Sequence, residues 1–244
     1  MNGKLLLAIL LSASFSLQAD ETSTWTYEGQ RAPEHWGTLK PEFHLCQDGR
    51  NQSPIDIRGE LRSNLAPLTM QYFTTALSIV NNGHTVQLNV PSGNKVQLDG
   101  ETFMLKQLHF HSPSENTIKG KQYPMEAHFL HKNKQGELLV VAVMYELGKE
   151  NVVLEKVWQQ IPKGLNQEEK IKQALDLNGL IPDSKYYYRF SGSLTTPPCS
   201  EGVRWLVFKQ PLSVSENQIT QFKSVIHHDN NRPVQELHGR VIVN

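Results

Sequence analysis

Two short segments that carry histidines constrain the fold more than any other feature of the chain. They are QLHFH at residues 107–111 and EAH at residues 126–128. Successive side chains of an extended strand point to opposite faces, so residues two apart share a face. His109 and His111 therefore share one face of the first predicted strand with Gln107, and His128 shares a face of the second with Glu126. If the two strands pair, three imidazoles converge on one point from a rigid sheet.

Three converging imidazoles are the ligand set of a catalytic zinc rather than a structural one, because they leave a fourth position open. Gln107 and Glu126 each lie two residues from a histidine, on its face. Metal-bound histidines usually donate their second ring N–H to such a carbonyl or carboxylate oxygen. The alternative is that the histidines fill polar faces or accept hydrogen bonds in the core, but a chance cluster has no reason to carry these partners. The pattern favours a metal site.

The N-terminus has the pattern of a secretory signal peptide at residues 1–19, which leaves residues 20–244 as the mature domain. Lys4 supplies a positive charge, residues 5–11 form an apolar core, and Ala19 offers a small residue for cleavage. A buried N-terminal helix is the alternative. The 24 Lys and Arg residues balance 24 Asp and Glu residues, and this balance does not favour nucleic acid or an anionic membrane as a partner.

Cys46 and Cys199 are the only cysteines of the chain. In an exported protein an even number of cysteines indicates a disulfide. Two buried free thiols are the alternative.

Alternating apolar segments outnumber helical signals and predict a mostly β single domain. The apolar run at residues 138–147 predicts a central strand that is buried on both faces. Further strand signals lie within residues 77–97, 186–190 and 203–208, and helix signals lie at residues 152–161, 167–175 and 216–226. The last helix has the strongest signal, since Ser215 and Gln218 form a capping box. The tandem Pro197-Pro198 predicts an ordered turn, and the aromatic residues at 25–36 predict an N-terminal cluster over the core.

Seven short segments are distributed along the chain: PEHW at residues 33–36, QSPIDI at 52–57, NNGH at 81–84, the two histidine segments, SLTTPP at 193–198 and NRP at 231–233. Taken together, they resemble the alpha class of carbonic anhydrases, and closely the secreted bacterial members. They occur in the order of the family and span nearly the whole mature chain. The resemblance implies a mainly β domain built on a large, twisted, mostly antiparallel sheet of about ten strands with a few short peripheral helices. A zinc ion would lie at the bottom of a conical cleft.

The resemblance implies reversible hydration of carbon dioxide to bicarbonate and a proton, by attack of a zinc-bound hydroxide. The three ligands of the one Zn²⁺ would be His109, His111 and His128, and their hydrogen-bond partners would be Gln107, Glu126 and the backbone carbonyl of Asn230. Thr195 would accept a hydrogen bond from the hydroxide, and Glu115 would accept a hydrogen bond from the Thr195 hydroxyl. His84 would be the proton shuttle. On sequence alone, Glu115 could be a carboxylate at the surface end of a strand and His84 an exposed histidine of a turn.

The remaining site residues also follow from the resemblance. The substrate pocket would be lined by Leu130, Val140, Leu194, Thr195, Thr196, Val203 and Trp205. The residues that order water in the cleft would be Tyr27, Asn82 and Gln87. Cys46 and Cys199 would form a disulfide. Gln87 and Leu130 depart from the animal enzymes of the class, which have asparagine and a smaller valine. Neither departure touches the metal, so both bear on rate and inhibitor profile rather than on the reaction.

Two other functions remain as alternatives. A cupin-like metal oxygenase also carries a His-x-His strand and a later histidine, but it would use iron or manganese and would have no role for Thr195. A catalytically silent binding module of the same fold would lack ligand histidines, and none is missing here. The predicted signal peptide places the protein in the periplasm or outside the cell, with no membrane span. The oligomeric state is open, with a homodimer as one alternative.

Overall fold

The computed structural model describes residues 24–244. The predicted signal peptide at residues 1–19 lies outside the described residues. The strands are β1 Asp56–Ile57, β2 Thr69–Gln71, β3 Ser78–Asn81, β4 Val86–Asn89, β5 Lys95–Leu98, β6 Glu101–His111, β7 Thr117–Ile118, β8 Met125–Lys132, β9 Leu138–Leu147, β10 Glu168–Lys170, β11 Tyr187–Ser193, β12 Glu201–Phe208 and β13 Leu212–Val214. The α-helices are α1 Trp36–Leu39, α2 Leu45–Asp48, α3 Val152–Trp158 and α4 Glu216–Ile226, and 3₁₀ helices span Gly29–Arg31, Pro33–His35, Pro41–Phe43 and Leu177–Leu180.

An eleven-stranded sheet organises the described part of the chain. Its main path runs β10-β3-β4-β6-β8-β9-β12-β11, with β5 also on β6, β2 on β5 and β13 on β9. Most neighbours are antiparallel, whereas β12 and β13 run parallel to β9. The separate pair β1 and β7 is parallel. The prediction of a large, mostly antiparallel sheet is confirmed.

The two faces of β6 and β8 have different surroundings. We call the side that carries His109, His111 and His128 the histidine face, and the opposite side the core face. The core face belongs to the larger apolar cluster, to which Leu108, Phe110, Ala127, Phe129, Val141 and Val143 contribute. The histidine face borders a second cluster, which includes Val140, Ala142, Met144, Val203 and Trp205. Because β9 supplies residues to both clusters, it is buried on both faces over most of its length, as its apolar run predicts.

The helix predictions are confirmed in two places and wrong in one. At α4 the capping box forms, since Ser215 Oγ accepts from Gln218 N at 3.2 Å and Gln218 Oε1 accepts from Ser215 N at 3.3 Å. At α3 the helix ends at Trp158 instead of Ile161, with Asn151 as its N-cap.

Residues 167–175 form no helix. Instead β10 pairs antiparallel with β3 along the sheet edge. The Glu168 carboxylate accepts hydrogen bonds from Ser78 Oγ and Asn89 Nδ2. Pairing with a distant strand therefore overrides the local helical preference of this segment.

The N-terminal aromatic residues form the predicted cluster, which the disulfide joins to the rest of the molecule. Trp36 is fully buried, and its Nε1 donates to Thr26 O at 2.9 Å and Arg31 O at 3.0 Å. Cys46 and Cys199 are bonded, with their Cα atoms 5.0 Å apart. This bond confirms the disulfide prediction and excludes two free thiols.

Within residues 24–244, no helix is both long and apolar enough to cross a membrane.

Candidate metal centre and active site

Three imidazoles meet on the histidine face because β6 and β8 pair in the register that places His109 opposite His128. His111 lies two residues further along β6 and so faces the same way. The ring centroids are 5.0 Å apart for His109 and His111, 5.3 Å for His109 and His128, and 4.5 Å for His111 and His128. One ligand nitrogen from each ring lies within 4.8 Å of the others. The three side chains can therefore hold a single metal ion.

The outward ring nitrogens of all three histidines have acceptors within hydrogen-bonding distance. His109 Nδ1 lies 2.8 Å from Gln107 Oε1, and His111 Nδ1 lies 2.7 Å from the backbone oxygen of Asn230. The partner of the third ring is a carboxylate, since His128 Nε2 lies 3.0 Å from Glu126 Oε1. Donation to Gln107 and Asn230 by the first two rings, and the proximity of Glu126 to Nε2 of the third, leave His109 Nε2, His111 Nε2 and His128 Nδ1 as the nitrogens that can bind a cation.

Burial keeps the three rings neutral, as metal ligands must be. It lowers the pKa of His109, His111 and His128 below the ordinary value, and charge on neighbouring imidazoles adds to the shift at His109 and His128. His111 Nε2 is buried and has no hydrogen-bond partner among residues 24–244. A buried polar atom without a partner is costly, and a bound cation would satisfy it.

Glu126 connects the metal centre to the segment that follows β6. Its Oε2 accepts from the backbone N–H groups of Glu115 and Asn116, each at 2.8 Å, and its Oε1 accepts from Asn116 Nδ2 at 2.7 Å. Burial raises the pKa of Glu126 to about 7, against the opposing effect of the hydrogen bonds from Asn116. One carboxylate thus orients both His128 and the backbone of Glu115.

Glu115 lies inside the site and is no surface carboxylate, since only 1% of it is exposed. Its Oε1 accepts from the backbone N–H of Arg232 at 2.8 Å. Its Oε2 lies 3.4 Å from His111 Nε2 and 3.8 Å from His128 Nδ1. Burial raises the pKa of Glu115 to about 8, while hydrogen bonds from Arg232 and from the Thr195 side chain oppose the shift. The carboxyl group is therefore next to both the ligand nitrogens and Thr195.

Two residues of the segment after α4 have contacts that sequence reasoning missed. The Asn230 side chain donates to His84 O at 2.8 Å and Phe110 O at 2.9 Å, in addition to the contact of its carbonyl with His111. Arg232 is 1% exposed, and its guanidinium donates to three oxygens of the N-terminal part of the chain. These acceptors are Gln52 Oε1 and Ser53 O, both at 2.8 Å, and Cys46 O at 2.7 Å. The NRP motif at residues 231–233 was the sequence feature that could have indicated a buried, hydrogen-bonded arginine.

An apolar wall borders the histidine face. The predicted pocket residues Leu130, Val140, Leu194, Val203 and Trp205 all belong to one cluster. Cross-strand pairing places Leu130 and Trp205 beside Val140. The Trp205 ring lies 5.0 Å from that of His128. Thr195 is buried and Thr196 partly buried at the start of the turn before Cys199.

His84 lies in the turn between β3 and β4 and is partly buried, not an exposed turn residue. Its ring stacks on Trp25, with centroids 3.7 Å apart and planes 11° from parallel. Asn82 Oδ1 accepts from the backbone N–H of His84 at 3.0 Å and so fixes the turn. Burial lowers the pKa of His84 to about 4, and the charge of His228 contributes. The stacking on Trp25 was not predicted from the sequence.

Of the three predicted water-ordering residues, two lie beside His84 and one lies beside the metal centre. Tyr27 and Asn82 line a cavity of about 940 Å³ together with His84. Gln87 is opposite His109 in the pairing of β4 with β6, and therefore lies on the histidine face. Its Nε2 donates to Asn89 Oδ1 at 2.7 Å.

Residues 31–244 match the family model described as eukaryotic-type carbonic anhydrase. A carbonic anhydrase of Pectobacterium atrosepticum is 52% identical over 243 residues that cover 100% of both chains. A carbonic anhydrase of Klebsiella pneumoniae is 49% identical, with 97% of each chain covered. The alpha-carbonic anhydrase of Thermovibrio ammonificans, solved with the inhibitor sulfanilamide, aligns at a TM-score of 0.88 and 48% identity over 90% of this chain and 98% of that chain.

These similarities extend over both the sheet and the histidine cluster, and they exclude the cupin-like oxygenase as the family of this protein. Bacterial relatives carry the same name at 45% to 52% identity. The match also identifies the metal for which the three histidines are suited, since alpha carbonic anhydrases are zinc enzymes. The chain belongs to the alpha class of carbonic anhydrases, which hydrate carbon dioxide reversibly to bicarbonate.

Proposed function

We propose that this carbonic anhydrase hydrates carbon dioxide at the point where His109, His111 and His128 converge, with these three residues holding the zinc ion. The observation that carries the proposal is the arrangement of the rings: three neutral imidazoles, two of them buried and His109 partly buried, have outward nitrogens next to acceptors and inward nitrogens directed at one another. When bound, zinc acts as a Lewis acid and lowers the pKa of a coordinated water to about 7, the value established for carbonic anhydrase itself.

The neutrality of the ligands supports this assignment, because anionic ligands would offset the charge of the ion. Gln107 and the Asn230 carbonyl are neutral acceptors, so they orient His109 and His111 without adding charge. Among these three outer partners only Glu126 is a potential anion, and its carboxylate is shared among His128, two backbone N–H groups and the Asn116 side chain. Such outer partners fix the orientation of ligand histidines.

Glu115 and Thr195 form the orienting pair of the proposed mechanism. In its ionised form Glu115 accepts the hydroxyl proton of Thr195, which leaves the Thr195 oxygen only as an acceptor. Thr195 then accepts a hydrogen bond from the attacking group and turns the lone pair of that group toward the substrate. The N–H of Arg232 favours the ionised carboxylate by donating to it at 2.8 Å. Gln52, Ser53 and Cys46 hold Arg232 in turn.

The apolar wall is the proposed binding surface for carbon dioxide. A nonpolar molecule gains from leaving water and forms no strong hydrogen bonds with its pocket. Val140, Val203 and Trp205 are each 1% to 3% exposed and offer no charged group at this surface. The bulk of Leu130 reduces the volume beside them relative to a valine.

His84 is the proposed proton shuttle, and the stacked ring is its resting position. Imidazole suits proton transfer near neutral pH, since its ordinary pKa is close to 6.5. In the stack on Trp25 the pKa is about 4 because of burial, so accepting a proton from a donor of pKa near 7 is unfavourable there. Movement of the ring away from Trp25 into the cleft relieves burial and raises the pKa toward its ordinary value.

We place the enzyme in the periplasm or outside the cell, on the basis of the predicted signal peptide and the disulfide. Stable disulfides form in oxidising compartments, and the bond between Cys46 and Cys199 joins the N-terminal cluster to the turn after Thr196. Fractionation of cells expressing the full chain tests this location. Activity confined to the cytoplasmic fraction, with residues 1–19 still attached, would contradict it.

Zinc content and stopped-flow hydration of carbon dioxide test the proposed site together. The purified protein should contain about one zinc per chain. A chelator should remove zinc and activity in parallel, and added zinc should restore both. Iron in place of zinc, or activity that survives complete removal of the metal, would refute the proposal.

A further inference from the structure

We propose that His228 is a second proton-relay group, which exchanges protons with His84 across the cavity that both side chains line. The inference rests on the role proposed above for His84. It extends the path of the proton from the cleft to the outer surface of the enzyme. It is carried by the position of His228, by a buried ring nitrogen without a partner, and by the charges that surround the ring.

The end of α4 directs His228 into the cavity. His227, the C-cap, has a left-handed backbone with φ of 67°, and its N–H donates to Lys223 O at 2.8 Å. A left-handed residue of this kind ends the helix. His227 is consequently exposed, whereas His228 is partly buried and lines the cavity of about 940 Å³ with His84 and Tyr27. Two adjacent histidines thus differ in environment.

The Tyr27 ring lies close to both imidazoles. Its ring centroid is 5.6 Å from that of His228 and 6.3 Å from that of His84. Burial raises the pKa of Tyr27 well above its ordinary value, so its hydroxyl remains protonated at neutral pH. A neutral hydroxyl can both donate and accept a hydrogen bond, and it can therefore order water between the two histidines without binding the proton itself.

The Nε2 atom of His228 is suited to receive a proton from this water. It is buried and has no hydrogen-bond partner among the described residues 24–244. The ring also forms a hydrogen bond with the backbone of Ile226, which favours the protonated imidazole. The cavity is large enough for a chain of water molecules, since one water occupies about 30 Å³. Asn82, Glu28 and Asn166 also line the cavity and supply polar groups to such a chain.

The groups around His228 shift its pKa in opposite directions. Burial lowers the pKa of His228 below its ordinary value and His227 adds to this shift, while Glu28, Asp229 and the hydrogen bond to Ile226 oppose it only in part. The other charged or titratable groups nearby are Arg31, which lines the cavity, Lys223, which binds Asp229 at 2.8 Å, and Tyr27 and His84. Positive charge on His228 disfavours positive charge on His84. The pair therefore holds one proton more readily than two, which is the requirement for passing it on.

The relay is a transfer of one proton and forms no other bond. Protonated His84 gives its proton to a water of the cavity, and a proton from that water chain arrives at His228 Nε2. His84 is then neutral and His228 is an imidazolium cation, which releases the proton to buffer at the outer rim. Dehydration of bicarbonate uses the same steps in reverse, so total charge and atoms balance in both directions.

The test compares His228→Asn with the matched variant His227→Asn in the zinc-loaded enzyme. Asparagine tolerates the left-handed backbone of position 227, so the control should fold. In dilute buffer, His228→Asn should lower kcat for hydration severalfold, leave kcat/KM unchanged, and recover kcat when imidazole is added. His227→Asn should behave as wild type. A parallel loss of kcat and kcat/KM, without rescue by imidazole, would show that His228 acts only through the fold and would overturn the inference.

A double substitution separates this inference from the role of His84. If the two residues act in series, His228→Asn should have no further effect on kcat in a His84→Ala background. An equal effect in both backgrounds would refute the series. A His84→Ala enzyme without buffer dependence would refute the proposed shuttle and this inference with it. Buffer dependence in His84→Ala with wild-type kinetics in His228→Asn would refute only the inference. Should His228→Asn not fold, His228→Gln serves in the same comparisons.

Discussion

His128 and His131 lie three residues apart on β8 and project from opposite faces of the sheet, and their environments differ. Both are at most 1% exposed, and burial lowers the pKa of both. The Nε2 of His131 lies 2.6 Å from Tyr72 Oη and its Nδ1 lies 3.3 Å from Leu139 O. His128 instead has Glu126 on one side and two other imidazoles on the other.

The comparison shows that burial and a lowered pKa do not identify a metal ligand. Both nitrogens of His131 find partners within the protein, so the ring needs no ion. On the histidine face, ring nitrogens converge on a common point, and the buried His111 Nε2 has no hydrogen-bond partner among residues 24–244. A converging set of such nitrogens is therefore the distinguishing feature, and the following four predictions test it.

The largest difference in zinc content and activity is expected between the variants His128→Ala and His131→Gln. Loss of one of three ligands should remove zinc and lower kcat/KM by about a thousandfold or more. Glutamine at position 131 can replace both hydrogen bonds of the imidazole, so that variant should keep zinc and most of its activity. Metal analysis and stopped-flow hydration measure both. Loss of zinc from His131→Gln in a folded protein would remove the distinction between the two faces.

The free energy of unfolding should depend on pH because the pKa of His131 differs between the folded and unfolded states. Its pKa in the folded protein is about 4, below the ordinary value of 6.5. The unfolded chain therefore binds more protons below pH 6.5, and stability should fall as the pH drops from 6.5 toward 4. The loss amounts to about 3 kcal/mol at pH 4, at about 1.4 kcal/mol for each pH unit. Chemical denaturation of zinc-loaded wild type and His131→Gln at several pH values measures it. An unchanged slope in the variant would contradict this assignment.

Glu115→Gln should separate orientation of the reacting group from metal binding. The amide cannot accept the Thr195 proton as a carboxylate does, and one of its two polar atoms becomes a donor. We expect kcat/KM to fall by about a hundredfold while zinc stays bound. Thr195→Ala should show a similar loss, and the double variant should lose little more. Additive losses would indicate that the two side chains act separately.

Glu126→Gln is expected to have the smallest effect of the four, on zinc affinity. His128 would keep a neutral acceptor, but the amide nitrogen would face backbone N–H groups that now donate to the carboxylate. Zinc affinity should fall by about tenfold, with near-normal activity at saturating zinc. Competition with a chelator of known affinity measures the change. Unaltered affinity would show that Glu126 supports the backbone of Glu115 rather than the metal ligand.

The alternation of residues 107–111 and 126–128 was enough to predict which side chains share a face, because a strand has a period of two residues whatever its neighbours are. The same reasoning predicted the central β9, and the capping box predicted α4. The helix prediction for residues 167–175 was wrong, because β10 pairs with β3, which lies almost ninety residues earlier in the chain. No local sequence pattern indicates that pairing. The site roles of Thr195, Glu115 and His84 came from the family likeness and remain predictions.

What the sequence determined by itself is the histidine face: the spacing of His109, His111 and His128 places them together once β6 and β8 pair. What only the tertiary structure decided is the set of groups around that face. The Asn230 carbonyl reaches His111 across 119 residues, and Arg232 reaches Gln52 across 180. Trp25 covers His84 in the same way, from a distant part of the chain. Periodicity is a property of the local backbone, whereas these contacts depend on how the whole chain packs.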